Sequence, residues 1–231
     1  MPMNVSIIDT VVLSLKVSVT ATVVVMVLSF VLALWLMHHR SKFASMIEMM
    51  TYLPMAMPPV ALGYGLLVLL GKKSLLGQFF HEHLGVDFSF SLLGAQIAGA
   101  VVSLGLGVRC MRLAFLQIDH EQVAMAYLLG ASRLRALMSI VVPQCLRAFL
   151  GGALLVFLRI ISEFGATMVF AGTSIDGSRT LAIAIWTAME VPGQEHVCLA
   201  LVCISLVFSL MALCLVEILV PQTHYKEWEQ V

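Results

Sequence analysis

The chain has 231 residues, of which 61% are hydrophobic and 11% are charged, and its formal net charge at pH 7 is zero. Soluble domains contain about 45–50% apolar and about 25% charged residues, so this composition indicates an integral membrane protein. A neutral chain has no net attraction for a polyanion, and we therefore expect no nucleic-acid partner.

Five apolar segments are long enough to cross a bilayer, which takes about 20 residues of α-helix. They lie at about 11–37, 47–71, 88–108, 148–175 and 197–217. The sequence therefore predicts an all-α membrane protein with a single transmembrane domain over residues 1–231. An odd number of spans places the two termini on opposite sides of the membrane.

The lysines and arginines predict the orientation, since these residues are enriched in cytoplasmic segments. With an external N-terminus, the cytoplasmic segments carry most of them: Arg40, Lys42, Arg109, Arg112, Arg133, Arg135, Arg147 and Lys226. The external segments then carry the remainder outside the spans: Lys72, Lys73 and Arg179. We therefore expect the N-terminus outside and the C-terminus in the cytoplasm.

The second span contains three prolines. Pro54 and Pro58 are four residues apart and share one face of a helix, and Pro59 follows directly. Each proline frees a backbone carbonyl, which is costly in lipid unless a neighbour or water satisfies it. The pattern favours a broken helix that lines a pathway, and a kink filled by neighbouring helices is the alternative.

The fourth span contains Arg159 and Glu163, charged residues that are costly to place in a bilayer. Their i, i+4 spacing allows an ion pair on one helix face. Two roles remain open, a structural brace or a wall of a transport route. Of the two roles, the brace is favoured. Ser162 adds a hydroxyl donor beside the pair.

Residues 117–147 form the longest interval without a span. Asp119 is placed to cap a first short helix, and Gly130 to end it in the left-handed conformation. Ser132 can cap a second helix, which Pro143 would break or kink. The first helix has almost no polar face, so it must be buried against the membrane surface or a partner protein.

The same interval carries a resemblance to a known motif. The spacing of Ala126, Gly130, Ile140 and Pro143 resembles the "EAA" loop with which ABC-transporter permeases dock onto their ATPase subunit. Glu121, the nearest carboxylate, lies two or three residues before the position of the loop acid in that family. The resemblance implies that residues 117–147 are a cytoplasmic coupling loop.

Three other blocks resemble the molybdate permease family in sequence and in order: residues 54–71, 162–166 and 179–193. With the loop, they extend the resemblance over roughly residues 10–218. It implies a bundle like that of type I ABC importer permeases in the cell inner membrane. Arg133 and Arg135 are then candidate contacts with the ATPase, and a lipid-facing basic pair is the alternative.

The resemblance also implies the function and the partners. The chain would be the membrane-spanning subunit of an ATP-driven importer of an oxyanion, most similar to molybdate importers, with tungstate or sulfate as alternative cargo. An ABC ATPase subunit would hydrolyse ATP, and a periplasmic or extracellular oxyanion-binding protein would deliver the cargo. Five helices enclose too little for a sealed route, which implies a homodimer.

We expect no catalytic residues, cofactor or metal site in this chain. Residues 71–74 resemble the end of a phosphate loop, but the first glycine stands at the wrong distance and Lys73 replaces the hydroxyl residue. A proton-coupled secondary transporter with Glu163 as its relay is a more distant alternative. It is disfavoured because such folds usually contain inverted repeats, which this sequence does not show.

Overall fold

The computed structural model describes residues 6–39, 41–173, 175 and 179–219. Arg40 and Lys226, which contribute to the predicted orientation, lie outside the described residues. The described part is all-α, as predicted from the apolar segments. Its helices follow in this order: α1 Ile7–His38, α2 Lys42–Ala56, α3 Pro59–Leu70, α4 Leu75–Leu84, α5 Leu92–Leu116, α6 His120–Leu128, α7 Arg133–Ala136, a π-helical turn Leu137–Val141, α8 Val142–Ile161, α9 Gly165–Phe170, α10 Leu181–Glu190 and α11 Glu195–Leu219.

Four helical runs in the described part are long and apolar enough to cross a membrane, namely α1, α5, the run Arg133–Ile161 and α11. The helices α2 and α3 pass the same test only as a pair, and they are bent by 115° at their junction. Counted as one span, the bent pair brings the number of candidate spans in the described part to five. The break falls where the three prolines stand.

The fourth helical run differs from the segment 148–175 expected for it. The run begins at Arg133, passes through Pro143 and ends at Ile161. Proline is tolerated there because it stands in the first turn of α8, directly after the π-helical turn Leu137–Val141. That wider turn already departs from the regular hydrogen-bond ladder that a proline ring would otherwise disrupt.

The packed centre of the chain is the contact of α1, α5 and α8. Met26 of α1, Phe115 of α5 and Val156 of α8 belong to one buried apolar cluster. A second cluster joins α3 to α9 and includes Leu62 and Phe170. Because lipid tails are as apolar as these side chains, close packing rather than escape from water holds such helices together.

The crossing of α3 and α9 depends on small residues. A Cβ on Gly165 would lie 2.9 Å from the Cβ of Pro59, and a Cβ on Gly63 would lie 2.8 Å from the carbonyl oxygen of Ala166. Glycine at these two positions therefore lets the two helix backbones touch. The crossing places the first turn of α3 against the turn between α8 and α9.

We expect Gly63→Ala to destabilise the protein relative to Gly65→Ala. Alanine favours a helix over glycine by about 0.8–1 kcal/mol at either position. Only Gly63 has backbone atoms of a neighbouring helix within 3 Å of its added Cβ, whereas Gly65 has nothing within 4 Å. The overpacking cost is about 1–3 kcal/mol. Equal melting temperatures of the two variants in detergent would contradict the α3–α9 contact.

Candidate functional site

The break between α2 and α3 leaves backbone carbonyls that the helices cannot satisfy. Pro54 lies inside α2, Pro58 precedes α3 and Pro59 is its first residue. In a regular helix the carbonyls of Pro54 and Met55 would accept from residues 58 and 59, which are both prolines and have no N–H. Residues 55–61 are all exposed on this chain. At membrane depth such carbonyls must face water or another protein chain.

The structure brings this break close to the second set of candidate residues. Pro59 contacts Gly165 at the α3–α9 crossing, and Gly165 follows Glu163 by two residues. The proline break, Ser162 and Glu163 therefore lie in one region, although about 100 residues separate them in the sequence. Ser162 is exposed, and its hydroxyl donates to the carbonyl of Arg159 at 3.1 Å.

Glu163 is buried with both carboxylate oxygens engaged. The Nη1 of Arg159 donates to Oε2 at 2.8 Å, and the backbone N–H of Ala166 donates to Oε1 at 2.8 Å. The side chain of Glu163 is 3% exposed and that of Arg159 is 31% exposed. The predicted i, i+4 ion pair is therefore present. Glu163, however, lies just beyond the end of α8 and caps the first turn of α9, where a negative charge is favoured.

The space beside Glu163 is too small for an oxyanion. A cavity of about 10 Å³ lies next to the carboxylate and is lined in part by hydroxyl residues: Ser14, Ser18, Thr167 and Thr180. A volume of this size holds at most about one water molecule. The carboxylate thus faces packed protein on this side, and the exposed part of the ion pair is the arginine.

The interval 117–147 folds as two helices around a tight turn. Asp119 caps α6 by accepting from the N–H groups of Glu121 at 2.9 Å and Gln122 at 3.4 Å. Gly130 has φ +82°, the left-handed conformation expected from its position. Ser132 caps α7 by accepting from the N–H of Arg135 at 3.3 Å. All three local predictions are confirmed.

The tip of this interval is exposed and apolar. Leu128 and Leu129 are 82% and 86% exposed, and Met125 is 59% exposed. Glu121, Arg133, Arg135 and Pro143 are also exposed, and Ala126 is half-buried. Soluble surfaces seldom present adjacent leucines in this way, so the tip is a contact surface for lipid or for another protein.

The base of the same interval is bonded to the body of the protein. Gln144 of α8 accepts from the N–H of Asp119 at 3.3 Å and donates to the side chain of Gln122 at 2.7 Å. The thiol of Cys145 donates to the carbonyl of Ala114 in α5 at 3.7 Å. A crevice of about 1070 Å³ separates the tip from the end of α1. The tip therefore stands away from α1, while its base is attached to α5 and α8.

A second ion pair escaped the sequence analysis. Glu48 of α2 pairs with Arg112 of α5, and the hydroxyl of Tyr52 donates to the same Oε1 of Glu48 at 3.0 Å. The sequence did not reveal it because Glu48 stands at the edge of an apolar run and Arg112 was read only as a cytoplasmic charge. The signal that could have predicted the pair was the single carboxylate of α2, Glu48, together with the two arginines near the end of α5, Arg109 and Arg112.

A charged cluster joins the connection between α3 and α5. Asp87 accepts from Lys72 at 2.9 Å and contacts Nδ1 of His81 at 3.0 Å. The hydrogen bond from Lys72 is the main cause that lowers the pKa of Asp87 below its usual value, with the charge of Lys72 and His81 adding to it. The cluster ties α4 to the residues that lead into α5.

Comparison with known proteins decides the family. Residues 17–225 match the family described as the binding-protein-dependent transport system inner membrane component. The chain belongs to this family. Membership identifies it as a multi-pass component of an ABC import system in the inner membrane, as the resemblance predicted.

Several permeases of this family are similar to the chain over most of its length. It is 34% identical to the molybdenum transport system permease protein ModB of Haemophilus influenzae over 206 residues, which cover 89% of this chain and 90% of that protein. The ModB protein of Escherichia coli K12 is 34% identical over 207 residues, 90% of each chain. The putative molybdenum transport system permease protein YvgM of Bacillus subtilis is 32% identical over 201 residues, 87% of this chain and 88% of that protein.

We expect Arg159→Ala to destabilise this permease more than Glu163→Gln. The alanine leaves a buried carboxylate without one of its two partners, a cost of about 1–3 kcal/mol. Glutamine keeps an acceptor for the N–H of Ala166 and removes the charge. The amount of folded protein in membranes and the melting temperature in detergent measure the effect, with the exposed Arg109→Ala as control. Greater damage from Glu163→Gln would contradict the brace.

Proposed function

We propose that the chain is the membrane-spanning subunit of an ATP-driven importer whose cargo is molybdate. The observation that carries the proposal is the identity of 34%, over about nine tenths of both chains, with permeases named for molybdenum transport. The exposed apolar tip and the exposed proline break supply the two surfaces that such a subunit needs. The apolar tip binds the ATPase subunit, and the proline break faces the transport route.

The coupling loop 117–147 is the surface for the ATPase subunit. Its tip offers Leu128 and Leu129 to an apolar groove, and Arg133 and Arg135 lie exposed beside them for polar contacts. Closure of the ATPase pair on ATP then displaces the loop. Because Gln144 bonds the loop base to α8, the displacement moves a spanning helix rather than the loop alone.

The route lies between two copies of the chain. The carbonyls of Pro54 and Met55 lack helical donors beside the exposed residues 55–61, and a second copy across a water-filled cleft would meet the requirement that these carbonyls avoid lipid. In this arrangement Pro54, Pro58 and Pro59 shape the wall. Glu163 acts as a brace behind the wall, and Arg159 balances its charge. The soluble binding protein delivers the oxyanion at the outer face.

The orientation follows from the basic residues. An external N-terminus places the coupling loop and its arginines in the cytoplasm, where the ATPase subunit resides. The same orientation places the cluster around Asp87 on the outer face, where the binding protein docks. Cysteine labelling of intact cells at Gly193 and at Gly130 distinguishes the two orientations. Labelling at Gly130 by an impermeant reagent would refute this one.

Transport of labelled molybdate tests the proposed cargo. The permease is reconstituted in vesicles with its ATPase subunit and binding protein, and uptake is measured with and without ATP. We expect ATP-dependent uptake that tungstate inhibits more strongly than sulfate and that a proton ionophore leaves unchanged. Uptake of sulfate in preference to molybdate would refute molybdate as the cargo and assign sulfate instead. Loss of uptake with the ionophore alone would refute an ATP-driven importer.

We expect Gly130→Asp to abolish most ATP-coupled uptake without loss of folded protein. Aspartate tolerates the left-handed backbone better than most residues, and nothing lies within 4 Å of an added Cβ at Gly130. The new side chain therefore meets the ATPase subunit rather than this chain. Gly193→Asp is a matched control, since Gly193 has φ +85° and equally open space. Equal uptake by the two variants would refute the docking surface.

A further inference from the structure

The ion pair between α2 and α5 lies where a movement of the coupling loop could be passed on. Arg112 donates through Nη1 to Oε1 of Glu48, and Tyr52 donates to the same oxygen. The side chains of Glu48 and Arg112 are 22% and 39% exposed, so the pair is partly shielded from solvent. The ion pair joins α2 to α5, and its two residues lie 64 positions apart in the sequence.

Below the pair, α5 leads directly into the coupling loop. The helix continues for about one turn after Arg112 and ends at Leu116. Ala114, Phe115 and Ile118 are buried in the main apolar cluster, at 3%, 0% and 7% exposure. Asp119 then caps α6. This end of α5 is therefore packed tightly, and it moves as one piece with the base of the loop.

Above the pair, α2 leads directly to the proline break. A Cβ on Gly105 of α5 would lie 2.6 Å from the carbonyl oxygen of Thr51 and 3.2 Å from the Cα of Tyr52. The two helices therefore touch at a second level, about two turns from Arg112 along α5. From there α2 continues only to Ala56 before the 115° bend. No other described helix makes as extensive a contact with α2 as α5 does.

We infer that the Glu48–Arg112 pair, with Tyr52, is the tie through which displacement of the coupling loop reaches the broken helix at the transport route. The loop moves α5, the ion pair forces α2 to follow, and the bend at Pro58 changes its angle. Glu48 and Arg112 are thus positioning residues, because they act on the route through α2. The inference rests on the proposed function, since it assumes that the loop is driven by an ATPase subunit.

The use of charge at this point favours a mechanical role over simple adhesion. A partly buried ion pair seldom stabilises a protein more than well-packed apolar residues of the same volume. It does fix one relative position of its two helices, because the donors and the shared oxygen must meet with defined geometry. Two helices that only adhered could slide along each other. The bond from Arg112 opposes such sliding, and the hydrogen bond from Tyr52, which lies on α2 one turn after Glu48, holds the carboxylate in position for it.

The ratio of ATP hydrolysis to uptake tests the tie in the reconstituted importer. We expect Glu48→Gln and Arg112→Gln to leave hydrolysis stimulated by the binding protein, while the number of ATP molecules consumed per anion rises about fivefold or more. Tyr52→Phe, which removes one donor and keeps the ion pair, should give a smaller rise. Arg109→Gln, an exposed arginine one turn earlier on α5, should leave the ratio unchanged.

The double variant Glu48→Arg with Arg112→Glu exchanges the two charges. It distinguishes loss of mechanical coupling from loss of folded protein. A tie predicts that the exchange restores part of the coupling that either single charge change destroys. Hydrolysis and uptake that fall together, in proportion to the folded protein, would overturn the inference, as would single variants with wild-type coupling. Failure of the wild-type complex to transport any oxyanion would instead refute the proposed function.

Discussion

A backbone carbonyl without a donor cannot face lipid, and the arrangement of this permease follows from that constraint. Pro58 and Pro59 remove the donors that α2 would need to continue, so the helix bends by 115° and residues 55–61 lie exposed. The bend would be unsupported without α9, which holds the first turn of α3 at Gly165. The short α9 in turn begins where Glu163 caps it. The proline break and the buried charge thus depend on each other.

The environment of Glu163 explains how a chain that handles an anion can keep a carboxylate in its membrane domain. Both oxygens are occupied, and the neighbouring cavity of about 10 Å³ admits no oxyanion. The pair with Arg159 carries little net charge, so it neither attracts nor repels cargo strongly at a distance. Its more exposed member is the arginine, so any residual potential at the protein surface there is positive.

The sequence predicted what is local and missed what is tertiary. The caps at Asp119 and Ser132 and the left-handed Gly130 depend on a few neighbouring residues, and all three are as expected. The family resemblance predicted the coupling loop because its motif is also local. The contact of Glu48 with Arg112 depends on how α2 packs against α5, and no pattern within either segment specifies that packing. Within the expected fourth span 148–175, the structure ends α8 at Ile161 and begins the separate α9 at Gly165.

The π-helical turn Leu137–Val141 changes the phase of the helix that contains it. A π-turn holds one residue more than an α-turn, and each residue of an α-helix advances by about 100°. Side chains before the turn, such as Arg133 and Arg135, are therefore about 100° out of step with the face that regular counting back from α8 would assign to them. The one extra residue of the π-helical turn thus sets the direction in which the side chains of Arg133 and Arg135 project. Removal of a single residue there would re-aim both arginines while every other helix kept its register.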